Sequence, residues 1–333
     1  MRITRRKLID LAHREAHRRA DEEDVVSAYL IGSVVGGDPL LGGTADIDLI
    51  LVHENPPETA REVVPLSEDV HLDIAHHDRA VYSEPRNLRT SPWLGPALYD
   101  PLFILDPAHF LEWAQASARS QFNRPDYRVA RAASLLGHAR RSLDRLNGQH
   151  SFAWMAEYTR AVMDGANTVV LLAGPPAAGR RFVLTLKHLT AEAGHPDVFE
   201  SFLRLIGAES TDGWDLPDWI SAWSRAFEQS SPDSNDPRLA ACRLRYHLSG
   251  FEALQQIGWP QAVVWTLLST WHLAVAASAV QPSGGGARRS EWEDFLERLD
   301  LGEASAEHRT RELEAFLDGV EEHLDLWARD HGA

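Results

Sequence analysis

Asp46 and Asp48 are the residues of this chain whose spacing most directly suggests chemistry. They lie in Ala45-Asp46-Ile47-Asp48-Leu49-Ile50-Leu51-Val52, a run of strongly strand-forming residues. Along a strand the side chains at i and i+2 share a face. The two carboxylates therefore point together, while Ile47 and Leu49 point the other way into a core. Two carboxylates side by side near the start of a buried strand repel one another, and they are costly there unless a cation sits between them. Upstream, an apolar run from Val25 closes at Tyr29-Leu30-Ile31 and is broken by Gly32-Ser33, after which the chain enters a loop carrying Gly36, Gly37, Gly42 and Gly43. A turn with a small residue lets backbone N–H groups come close to anionic oxygens, and the Ser33 hydroxyl offers one more hydrogen bond. A third carboxylate, Asp73, stands between apolar neighbours in Val70-His71-Leu72-Asp73-Ile74-Ala75. Each piece alone has a plainer reading: Gly-Ser is a common turn dipeptide, and an Asp pair can simply end an exposed strand.

The combination is more specific. Gly32-Ser33, twelve intervening residues, then Asp-apolar-Asp-apolar and a further Asp downstream resembles the signature of the nucleotidyltransferase superfamily typified by DNA polymerase beta. The resemblance covers residues 25–106. It implies an α/β (α+β) fold: a small mixed-sheet nucleotidyltransferase domain over residues 1–110, followed by a large all-α domain over 111–333. It also implies Mg²⁺-dependent transfer of a nucleoside monophosphate from an NTP such as ATP to an acceptor hydroxyl, with release of pyrophosphate. In that family Asp46 and Asp48 would hold the metal. Asp73 would either share a second ion or act as general base, and the resemblance does not choose between the two. Gly32 and Ser33 would hold the β- and γ-phosphates. Relatives with a helical C-terminal domain often bring a Lys or Arg from it to the triphosphate. Lys187 is the candidate here, a surface lysine being the plainer reading. Two positions depart from the common pattern: Val35 stands where many relatives carry Arg, and Ala45 where a Ser often precedes the first Asp. Neither departure removes a carboxylate. Domain size and order look like those of antibiotic nucleotidyltransferases that adenylylate aminoglycosides, which implies a small cationic acceptor. Two alternatives stay open: modification of a protein or RNA, as in antitoxin-like relatives, and a non-catalytic nucleotide-binding protein on the same fold.

The elements that must position these residues follow from periodicity and breakers. A helix over Thr4–Ala20 precedes strands at Val25–Ile31, Ala45–Val52 and Val70–Ala75, with His76-His77-Asp78 leaving the last of these. Glu58–Leu66 reads as a short helix. Leu102–Leu105 is a short strand stopped by Asp106-Pro107. Beyond Phe110 the patterns are helical only: 108–121, 126–147, 152–173, 181–194, 196–207, 216–229, 236–257, 260–279, 290–299 and 306–330. Two loops separate parts of this region, Ser230–Pro237 and Gln281–Gly286. Most of the eleven Trp residues lie there, at spacings that suit a core.

Composition excludes some classes. At 333 residues with a formal net charge of −16, the chain is long enough for two domains and has the opposite charge balance from a dedicated nucleic-acid binder. It suits a cationic or neutral small partner. A local basic cluster, Arg2, Arg5, Arg6, Lys7, Arg14, Arg18 and Arg19, reads as a solvated helix face. The single cysteine, Cys242, and the absence of an apolar leader segment predict a cytoplasmic protein without disulfides. Ala262–Val280 carries no formal charge, but its Thr, Ser and His residues and the preceding Pro260 mark it as a buried helix rather than a membrane span. His76-His77-Asp78 has metal-ligand residue types, yet adjacent residues of an extended chain point to opposite sides, which argues against a zinc site. Arg145 and His150 are similar in spacing to the R-x4-H motif of HEPN ribonuclease domains. That spacing is common by chance, and Gly148 predicts a helix end between them.

Overall fold

A computed structural model describes residues 3–22, 24–146, 150–230, 234–278 and 285–333. Arg2 of the basic cluster, residues 231–233 and 281–284 of the two expected loops, and the Asn147–Gln149 stretch of the R-x4-H spacing lie outside the described residues. The chain divides into two compact units, Met1–Arg124 with Arg245–Ala253, and Pro125–Leu244 with Leu254–Ala333. The first unit thus runs past residue 110 and takes in a segment of a much later helix.

The first unit is built on a five-stranded sheet with strand order β3-β4-β2-β1-β5: β1 (Val25–Leu30), β2 (Ala45–His53), β3 (Arg61–Pro65), β4 (Val70–Asp78) and β5 (Leu102–Leu105). The central pair β2–β4 is parallel and the other pairings are antiparallel. Alternation sorts the side chains onto two faces. Ala45, Ile47, Leu49 and Leu51 of β2, with Leu72 and Ile74 of β4, pack against Leu8, Ala12 and Ala16 of helix α1 (Arg5–Glu22). Ile50 and Val52, on the opposite face, pack with Tyr29, Tyr82 and residues of three further helices, α3 (Pro85–Thr90), α4 (Leu94–Tyr99) and α5 (Phe110–Arg119), which follow the one-turn helix α2 (Ser33–Gly36). This apolar layer covers the C-terminal half of β2. Its N-terminal half, where Asp46 and Asp48 lie, is left to polar side chains.

The region around β3 differs from expectation. Glu58–Leu66 contains a strand, not a helix. Val63 and Val64 are β-branched and favour an extended chain, and the segment finds a partner in β4, with Val63 opposite Asp73. It forms the edge of the sheet, where the missing N–H of Pro65 does no damage. β4 also runs on through His76-His77-Asp78. The two histidines point to opposite faces as extended geometry demands. His76 bonds His53 and Glu62 at 2.8 and 3.1 Å, and His77 bonds the Tyr82 hydroxyl at 2.7 Å. Part of the basic face of α1 is paired: Arg18 and Arg19 with Glu15, Arg19 also with Glu62, and Arg5 with the Val34 and Val35 carbonyls.

The second unit is helical. It comprises α6 (Pro125–Asp144), α7 (Phe152–Ala173), α8 (Phe182–Glu192), α9 (Pro196–Leu205), α10 (Leu216–Ser230), α12 (Pro260–Ser278), α13 (Gly285–Arg298), α14 (Ala306–His331) and the ends of α11 (Cys242–Gln256). The expected single helix 236–257 is divided. Asp236 accepts a hydrogen bond from the Arg238 backbone and caps a short 3-10 turn at Pro237–Leu239, and α11 begins only at Cys242. The charge-free α12 is the buried centre of the bundle. Trp265 stacks on Phe182 with centroids 4.8 Å apart, and Trp271 is fully buried, as is Trp223, whose indole N–H donates to Thr270 at 3.0 Å. Among the described residues no helix is long and apolar enough to cross a membrane.

Candidate functional site

The site is assembled around the start of β2. Leu41 and Thr44 bond each other across Gly42-Gly43, both of which have positive φ (61° and 78°), a two-residue turn that glycines enter without strain. This turn delivers the chain into β2 with Ala45 donating to the Asp69 carbonyl at 2.9 Å. Asp46 and Asp48 then share one face, both half-buried, between fully buried Ala45, Ile47 and Leu49.

Parallel pairing places the third carboxylate. Asp48 and Asp73 are Cα partners in the β2–β4 register, and Asp46 is paired with His71. Residues directly opposite in a ladder project to the same side, so Asp46, Asp48 and Asp73 stand on one face. Asp73 is the most enclosed of the three, at 4 % exposure. The Gly32-Ser33 turn reaches the same place from β1. Ile31 donates to the Asp48 carbonyl at 3.1 Å, and a β-carbon on Gly32 would collide with the Asp48 carboxylate. Gly32 also has φ 72° and ψ −151°, a conformation essentially confined to glycine. The Ser33 hydroxyl is shielded from solvent and has no hydrogen-bond partner within the protein.

Arg61, which no sequence pattern marks, brings a cation to this cluster. Its guanidinium makes a two-pronged pair with Asp73, Nε to Oδ1 and Nη2 to Oδ2, the latter at 2.7 Å. The bond to Asp73 is the main cause that raises the Arg61 pKa above its ordinary value. Burial opposes it, and the charges of Asp73, Asp48 and Asp46 add to it. All three carboxylates are thus felt by one guanidinium. The Arg61 side chain is 54 % exposed while that of Asp73 is 3 % exposed, so the arginine has room to move and the carboxylate does not.

The far edge of the site is closed by the part of α11 that belongs to the first unit. Arg245 bonds Asp69 at 2.8 Å, the Tyr246 ring stands edge-on to His71 with centroids 4.9 Å apart, and Ser249 lies against Gly42 so closely that a β-carbon there would overlap its carbonyl. No sequence pattern marks these contacts. Lys187 belongs to the second unit. It is exposed on α8, with its ammonium 4.8 Å from the centre of the Trp259 ring.

The donor set of Asp46, Asp48 and Asp73 is all oxygen, which suits a hard cation such as Mg²⁺ rather than a transition ion. The half-buried like charges, the shielded Ser33 hydroxyl and the glycine-only approach of the turn fit such an ion together with an anionic ligand. The chain matches no protein-family model, and a search of curated proteins finds no significant match.

Proposed function

We propose that the first unit is the catalytic part of a Mg²⁺-dependent nucleotidyltransferase that moves a nucleoside monophosphate from an NTP to a hydroxyl of a small, cationic acceptor. The observation that carries this reading is the convergence of Asp46, Asp48 and Asp73 on one sheet face with the Gly32-Ser33 turn pressed against Asp48. Mg²⁺ held by Asp46 and Asp48 would neutralise phosphate charge and make the acceptor hydroxyl more acidic. The chain's own residues have separate tasks. The backbone at Gly32 can approach phosphate oxygens because no side chain intervenes. The Ser33 hydroxyl lacks a protein partner and would find one in a phosphate oxygen. Asp73 would complete the metal site or take the acceptor proton. As both its oxygens are bound to Arg61, the second role requires that pair to open. The net charge of −16 favours a cationic acceptor by attraction.

The Arg61–Asp73 pair also favours a second reading, a nucleotide-binding protein that does not turn over, in which Arg61 permanently occupies the third carboxylate. One experiment separates the two. Pyrophosphate release from each Mg–NTP, with and without polycationic hydroxyl-bearing acceptors, is expected to be acceptor-dependent. Tight nucleotide binding with no pyrophosphate under any acceptor would favour the second reading, and no binding would overturn both.

A further inference from the structure

The second unit carries a cluster of metal-ligating side chains with no part in the carboxylate site. His195 immediately precedes α9, Asp197 lies in the first turn of that helix, and His323 lies on α14. One ligand atom from each falls within 4.8 Å of both others. The two imidazoles approach to 4.0 Å between ring centroids, and His323 Nε2 is 3.1 Å from Asp197 Oδ2.

The positions are held by the fold. The His195 backbone is fixed at both ends: its N–H donates to the Thr190 carbonyl at 2.9 Å and its carbonyl accepts from Val198 at 3.2 Å. Pro196 then sets the start of α9, as proline does at a first helical position. On α14, buried Val320 and Leu324 flank His323 and orient that side of the helix inward, leaving the imidazole at its margin with 23 % of its side chain exposed. Asp197, at 62 % exposure, has room to turn toward either ring.

The chemistry of the donors is selective. Two imidazole nitrogens and one carboxylate oxygen suit borderline divalent ions, zinc above all, and do not suit Mg²⁺. Tetrahedral zinc with bonds of about 2.0–2.2 Å places its ligand atoms roughly 3.3–3.5 Å apart. Closing from the present spacing calls for rotation of the rings and a turn of the exposed Asp197 side chain. Three protein ligands leave a fourth position for water.

We propose that His195, Asp197 and His323 form a binding site for a divalent transition ion of zinc's class, which ties the start of α9 to α14. The site is chemically distinct from the all-oxygen set on the first unit and does not rest on the nucleotidyl-transfer reading.

The test uses the full chain stripped of metal. Titration with ZnCl₂ followed by calorimetry is expected to give one equivalent bound with micromolar or tighter affinity, together with a rise in unfolding temperature that MgCl₂ does not reproduce. CoCl₂ is expected to give the visible absorption of a four-coordinate nitrogen/oxygen site. His195→Ala and His323→Ala should each remove the zinc-induced shift and weaken binding at least a hundredfold, with metal-free unfolding close to wild type. Asp197→Asn, a change on an exposed side chain, should weaken zinc binding clearly, though less than either histidine variant. It replaces either histidine variant that does not fold. Absence of stoichiometric zinc binding and of the cobalt absorption in wild type would overturn the proposal. So would zinc binding undiminished in the folded variants.

Discussion

Gly32 and Asp48 are in contact through the absence of a side chain. The turn after β1 passes so close to the second carboxylate of β2 that a β-carbon at position 32 would overlap Asp48 Oδ2. Two independent demands, the contact and a φ of 72°, fall on the same residue. A substitution there acts on the turn and on the carboxylate at once.

Gly32→Val should therefore cost stability through backbone strain, about 1–3 kcal/mol, and should displace Asp48. The expected result is a lowered unfolding temperature together with loss of Mg–nucleotide binding by calorimetry. Wild-type nucleotide affinity in this variant would show that the turn does not face the ligand. Ser33→Ala is the milder companion, expected to weaken triphosphate binding by about 0.5–1.5 kcal/mol, the net value of one hydrogen bond.

The carboxylate pair is tested by linkage, since a ligand that binds only the folded state raises its stability. Mg–nucleotide should raise the unfolding temperature of the wild type. In Asp46→Ala/Asp48→Ala the Mg²⁺-dependent part of that rise should vanish. An unchanged rise in the double variant would remove these two residues from the metal site.

Asp73 and Arg61 give opposite expectations. Asp73→Asn should keep most Mg–nucleotide affinity, because Asp46 and Asp48 remain, and lose turnover by roughly 10²–10⁴-fold if Asp73 is the general base. Arg61→Gln takes a competing cation away from the three carboxylates and should tighten Mg²⁺ binding. Weaker nucleotide binding in Arg61→Gln would instead mean that the guanidinium itself meets a phosphate. Pyrophosphate release and calorimetry on the same preparations decide both.

Asp164 predicts a pH dependence unrelated to the site. This α7 residue is 5 % exposed, and burial pushes its carboxyl up to about 6, against a small opposing effect of Arg160. The folded chain therefore holds the proton more tightly than the unfolded chain, and stability falls as pH rises from about 4 through 6. Asp164→Asn should flatten that decline and stabilise the protein near pH 7.5 by on the order of 1–3 kcal/mol. Denaturant titrations at pH 4.5 and 7.5 measure it. An equal decline in the variant would assign the pH dependence elsewhere.

Much of the first unit was legible because its elements obey strict periods. Asp46 and Asp48 stand out against Ile47 and Leu49 by a two-residue alternation that only a strand with one buried face produces. Asp73 was found the same way, between Leu72 and Ile74. The edge strand β3 was not legible. It is short, half polar and exposed on one side, so its alternation carries little signal, and its strand character depends on β4 as a partner. Arg61 went unnoticed for the same reason, since its role exists only through pairing with Asp73. His195 and His323 were invisible in another way. Neither is remarkable among its neighbours, and Asp197 and His323 are 126 positions apart. Helix packing alone brings them together.

The segment Arg245–Ala253 belongs to the first unit although it is synthesised long after residue 124. At about 5–20 residues per second, a ribosome reaches it on the order of ten seconds after the sheet is complete. Until then Asp69, His71 and Gly42 lack Arg245, Tyr246 and Ser249. The nascent sheet waits with the start of β4 and the turn before β2 uncovered. A fragment cut near residue 124 would be arrested permanently at that stage of its own biogenesis.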